Sequence, residues 1–264
     1  MDPRARNLRV AGVAYAVTPA HTVERYALST LRLPNLPSME FMSNVIRRTG
    51  FVTLVLLSLG VAGYAVAVYG FLPLGSLLHP EMRATFTVYP VGIYAHVFGS
   101  VIALALGPCQ FSSQLRARRL QLHRWLGRLY LGVGVLVGGV SGLFMAFHAF
   151  GGLPARLGFA CLALAWLYSG YRAYRAIRSR DVMSHRRWMV RNFALTFAAV
   201  TLRLYLPTSI ASGVAFEAAY PVIAWLCWVP NLVAAELLFN KKHHPSIAEA
   251  SSRLRSPSTP DVKH

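Results

Sequence analysis

Six apolar stretches, each long enough to cross a bilayer, leave this chain very few ways to fold. They cover about 51–70, 91–111, 129–150, 155–176, 189–212 and 218–239. A hydrocarbon core about 30 Å thick takes about 20 apolar residues per helix. Backbone inside it must satisfy its own polar groups, so only helices and closed barrels can span it. These stretches have helix length, unlike the short alternating segments of a barrel. Composition agrees, with 55% hydrophobic residues, 14% charged residues and a mean hydropathy of +0.44. The expected fold is all-α, a polytopic membrane bundle of six transmembrane helices over residues 46–240. An N-terminal tail, 1–45, and a polar C-terminal tail, 241–264, flank it.

The net charge of +18 invites a nucleic-acid reading, but its distribution argues against one. Arg47 and Arg48 precede the first stretch, and Arg116, Arg118, Arg119, Arg124 and Arg128 lie between the second and third. Arg178, Arg180, Arg186 and Arg187 lie between the fourth and fifth, and Lys241 and Lys242 follow the sixth. The alternate loops hold only Arg83 and Arg156. This is the positive-inside pattern, and it puts both termini in the cytoplasm. Anionic headgroups at that face are the expected partner of the excess charge. No folded basic domain with a reading element is present, so no nucleic-acid partner is expected. Cys109, Cys161 and Cys227 fall inside apolar stretches without metal or redox spacing and read as buried free thiols.

Four histidines stand near the ends of these stretches: His96 and His148 toward one surface, His123 and His185 toward the other. Ligating side chains at membrane depth are costly and mark candidate sites. His96 and His148 are expected at one depth on antiparallel neighbours, either as a hydrogen-bonded structural pair or as ligands of a haem iron. Gly99, Ala103 and Gly107 share the His96 face, which gives clearance for a macrocycle or for close helix packing. His123 and His148 are 25 residues apart. On one continuous helix they would point within about 20° of each other and stand about 37 Å apart. That is too far for two closely stacked haems, which leaves His123 and His185 as interfacial residues or as ligands of a second group.

Arg203 interrupts the fifth stretch four residues before Pro207, on the expected face of His185. A guanidinium there needs a partner: Glu217, a carbonyl freed by Pro207, an anionic ligand such as a propionate, or the interface itself. His123-Arg124-Trp125-Leu126-Gly127-Arg128 and His185-Arg186-Arg187-Trp188-Met189-Val190-Arg191 form an internal echo at two helix starts. Interfacial anchoring accounts for the tryptophans and arginines, but not for the matched histidines.

These two segments, with Ala103-Leu104-Ala105-Leu106-Gly107-Pro108, Arg203-Leu204-Tyr205-Leu206-Pro207 and Trp225-Leu226-Cys227-Trp228-Val229-Pro230-Asn231, resemble a family of multi-pass bacterial membrane proteins, domain of unknown function 2306. The resemblance covers roughly residues 55–240 and implies a fold and a location in the bacterial inner membrane. A shallower likeness is to cytochrome b561 and ferric-reductase-like di-haem domains, carried by His123 with Gly127 and Arg128. It implies haem b on His96, His123, His148 and His185, and exchange of electrons with a quinone or a redox partner protein. The alternative is a cofactor-free transporter, assembly factor or scaffold. No nucleophile elbow or HExxH motif supports a hydrolase.

Overall fold

The computed structural model describes residues 39–240, so the C-terminal tail and most of the N-terminal one lie outside the described residues. The chain divides into two compact units, residues 1–50 and 51–264. Of the first, only the start of the helix Met39–Phe71 is described. The account below concerns the second.

Every described element is helical, and six helices are long and apolar enough to span a bilayer. The first span is Asn44–Phe71, the second Pro90–Gln110 and the third Leu120–Ala146. The fourth is Gly152–Arg178, the fifth Val182–Ala211 and the sixth Phe216–Phe239. All six expected stretches are present. The third and fifth begin nine and seven residues earlier than expected, so His123 and His185 lie inside them. The third span ends at Ala146, which puts His148 beyond it.

Three spans are irregular, each for an identifiable reason. The third is π-helical over Tyr130–Val137, and such wide turns are uncommon outside functional or strained helices. The 3.6-residue period therefore fails between His123 and His148, and the expected common face is lost. The fifth breaks at Phe197, beside a Thr196 hydroxyl that donates to the Asn192 carbonyl at 2.9 Å. Such back-bonding competes with the helix ladder and bends it. The sixth splits between Leu226 and Val229, just before Pro230, which has no N–H to continue the ladder.

Lipid tails are as apolar as leucine, so close van der Waals packing has to hold these helices together. The second and third spans meet backbone to backbone. A Cβ on Gly99 would lie 2.7 Å from Gly138 N, and one on Gly134 would lie 2.9 Å from the Ala103 Cβ. The buried core continues through Tyr130, Val135, Trp166, Met189 and Phe193 into Ile223 and Cys227 of the sixth span. Cys227 is buried as expected, but Cys109 is exposed.

Gly99→Ala should force these backbones apart and lower stability by about 1–3 kcal/mol, the usual cost of overpacking. Gly60→Ala, with nothing within 4 Å of its added methyl, should be close to neutral. Thermal unfolding of both variants in detergent checks the contrast.

Candidate functional site

His96 projects from the second span onto the third. Its Nδ1 donates to the Gly138 carbonyl at 2.8 Å, and since a carbonyl only accepts, the proton is on Nδ1 and the Nε2 lone pair is unused. A Cβ on Gly142 would sit 2.6 Å from that Nδ1, so the imidazole fills the space the glycine leaves. His148 lies elsewhere. Its Nδ1 donates to Phe144 O at 3.1 Å, and its ring centroid is 4.3 Å from that of Tyr89. Tyr89 precedes His96 by seven residues, about 10 Å along a helix. The structure therefore does not oppose His96 and His148 at one depth. The small residues near His96 are used for helix contact: Gly99 meets Gly138, Ala103 meets Gly134, and Gly107 meets Phe193.

The pair at the other face stands at one level instead. Tyr130 donates to Asn192 Oδ1 at 2.7 Å across the third and fifth spans, two helices that run in the same direction. His123 and His185 each stand seven residues before that bond, two turns down parallel helices and at one level. Arg116 and Arg124 stand at the same end of the bundle. His185 Nδ1 donates to Ala173 O of the fourth span at 2.9 Å. Among the described residues, His123 Nδ1 is buried with no hydrogen-bond partner.

Arg203 does not share the His185 neighbourhood, because the break at Phe197 intervenes. Its guanidinium donates to Ala199 O at 3.0 Å and lies 5.8 Å from the Tyr64 ring centroid. Tyr69 and His96 also feel its charge. Glu217 is not its partner: that carboxylate is 3.3 Å from Nε2 of His79, whose ring stacks on Phe216 at 5.1 Å. Glu236 forms a two-pronged pair with Arg191. Trp188 is held between Arg172 and Arg191, each guanidinium 4.7 Å from its centroid. In the matching segment Trp125 is exposed, so the echo ends in two different environments.

The largest buried polar group escaped the sequence reading. Trp166 Nε1 donates to Thr196 Oγ1 at 2.9 Å, and Tyr130 OH is 3.0 Å from the same oxygen. Asn192 Nδ2 donates to Trp166 O and Ser169 Oγ, both at 2.8 Å. The network ties the third, fourth and fifth spans, and it is satisfied at each of these atoms. An i, i+4 pair of Asn192 and Thr196 inside an apolar stretch was its only signal in the sequence. Asn231 does similar work at the break in the sixth span, reaching Thr201 Oγ1 at 2.8 Å and Cys227 O at 3.0 Å.

Among the described residues no group of three or more His, Cys, Asp or Glu could hold a metal ion. His123 and His185 stand at one level at the arginine-rich end of the helix bundle, two turns from a satisfied polar network. Fold and site together define a polytopic α-helical membrane protein. The chain belongs to a predicted membrane protein family, DUF2306, whose family model matches residues 93–239. No curated protein and no solved structure matches it.

Tyr130→Phe removes the donor to Asn192 and should cost about 1–2 kcal/mol, read as a lowered unfolding temperature. The helix carrying His185 also has an acid-sensitive start. Asp181 accepts from Ser184 N at 2.9 Å, and those hydrogen bonds hold its carboxyl below its ordinary value of 3.8. A depressed carboxylate contributes stability above its unfolded value and loses it as pH falls through its folded one. The protection factor of the Ser184 amide, its exchange rate relative to the unstructured rate at the same pH, should therefore fall on acidification below the carboxylate range, and Asp181→Asn should shrink that pH dependence.

Proposed function

We propose that this protein is a membrane electron-transfer subunit carrying one haem b between His123 and His185. The placement of those two histidines at one level on parallel helices is the observation that carries the reading. A ligating histidine usually gives its other ring N–H to a carbonyl or carboxylate, as His185 does to Ala173. The buried Nδ1 of His123, without a hydrogen-bond partner among the described residues, leaves that ring uncommitted. Arg116 and Arg124, at the same end of the bundle, supply positive charge suited to propionates. His96, His148 and Arg203 are not part of this site, because the first two are not opposed and the third belongs to the other end of the bundle.

When bound, haem b supplies reversible one-electron transfer. The chain's own part would be to hold the group through the His123 and His185 imidazoles, limit water and set the polarity around it. The electron donor or acceptor would be a membrane quinone or a redox partner protein, and the catalytic activity would belong to an assembly. The arginine-rich face suits the cytoplasmic side of a bacterial inner membrane, against anionic headgroups.

One observation favours a second reading, a cofactor-free membrane protein with structural histidines. The Tyr130–Asn192 bond already holds the third and fifth spans in contact two turns from the pair. A pyridine haemochrome assay on protein purified from haem-replete cells separates the two. The expected result is one haem per chain, abolished by His123→Ala and by His185→Ala and retained in His96→Ala and His148→Ala. A colourless, iron-free preparation removes the electron-transfer reading, and loss of haem only in the latter two variants reassigns the ligands.

A further inference from the structure

At the face opposite the arginine-rich one, two hollows join. The larger, about 700 Å³, is a furrow between the second and third spans, lined by Gly92, Ala95, Leu136, Val140 and Phe144. The smaller, about 360 Å³, is lined by Thr85, His148 and Arg156. Both include Val88 and Tyr89 in their walls, so one runs into the other. An open apolar furrow bordered by a shallow cationic hollow has the polarity of an amphiphile.

The polar end has unused hydrogen-bonding capacity. The Arg156 Nε donates to Ala149 O at 3.4 Å, and no carboxylate is paired with it among the described residues. His148 spends Nδ1 on Phe144 O, which leaves Nε2 available. Its ring is held by contacts with Tyr89 and Phe144 at 4.3 and 4.9 Å, so the imidazole is positioned before any ligand arrives. The loops of this face hold just two arginines, Arg83 and Arg156. A guanidinium next to a positioned imidazole matches a phosphate oxygen pair. The furrow below is within reach of a chain attached to that phosphate.

We propose that this composite groove binds one phospholipid of the adjoining leaflet, its phosphate on Arg156 and His148 and an acyl chain along Gly92, Ala95 and Val140. The site is independent of the His123–His185 pair, at the other end of the bundle. It therefore stands whether or not haem is bound.

Native mass spectrometry of the detergent-purified full chain, titrated with phosphatidylglycerol, tests this. The expected result is one tightly retained equivalent. Binding should weaken at least about tenfold in Arg156→Gln, the loss of a charge-assisted hydrogen bond. It should weaken similarly in Ala95→Leu, which narrows the furrow, and stay unchanged in Arg83→Gln. Diacylglycerol of the same chains and glycerol phosphate should each bind weakly, because each carries half of the recognised chemistry. Equal retention of diacylglycerol, or equal loss in Arg83→Gln, would mean ordinary annular lipid and overturn the proposal. So would undiminished binding in Arg156→Gln and Ala95→Leu. Each variant is compared at an unchanged unfolding temperature, and Arg156→Lys, which keeps the charge, should recover part of the affinity.

Discussion

The backbone contact between Gly99 and Gly138 governs much of the rest of this bundle. Inside lipid there is no hydrophobic gain in bringing two apolar helices together, so the distance of closest approach sets how strongly they attract. With hydrogen atoms in place of side chains at the crossing, the second and third spans approach to backbone contact. That proximity puts the Gly138 carbonyl in reach of His96, and it leaves the His96 ring lying in the space over Gly142. The π-helical turn of the third span ends at Val137, one residue before the same crossing. One close contact thus accounts for the placement of a titratable side chain and sits beside a break in helical register.

Polar groups in the bundle fall into two populations with different physical standing. Tyr130, Asn192, Thr196, Trp166 and Ser169 satisfy one another within three helices, as buried groups in low dielectric must if they are to stabilise rather than strain a fold. They work as glue. Among the described residues, His123 has a buried nitrogen with no hydrogen-bond partner, and Arg203 has a single backbone acceptor and one tyrosine ring but no carboxylate. A membrane interior makes such unspent capacity expensive. Its survival at His123 is the strongest physical argument that the inner end of the bundle does more than pack.

The sequence revealed the architecture almost completely because span length and the arginine distribution are properties of composition along the chain, indifferent to fine geometry. The site was far less legible. Pairing His96 with His148 assumed a regular third helix reaching past residue 148, whereas the helix ends at Ala146 and is π-helical over eight residues. Those irregularities come from three-dimensional contacts, and no local pattern announces them. The small-residue stripe beside His96 fits clearance and close packing alike, and only coordinates could choose between them. His123 and His185 were discounted on an axial distance to other histidines. Their relation to each other runs instead through Tyr130 and Asn192, two residues that carried no signal as a pair.

Seen this way, the internal echo gains a physical meaning that anchoring alone did not supply. Two helix starts of the same form lie on parallel spans, and each reaches the same buried hydrogen bond after seven residues. Matching offsets on parallel helices bring like residues to like heights, so a repeated His-Arg start puts the two histidines at one membrane depth. The tryptophans that follow have diverged, Trp188 between two guanidiniums and Trp125 exposed, so anchoring does not require both copies to keep one environment. The histidines have diverged too: His185 gives Nδ1 to Ala173 O, while His123 Nδ1 has no hydrogen-bond partner among the described residues. What the two helix starts share is height along parallel spans, set by the Tyr130–Asn192 contact above them.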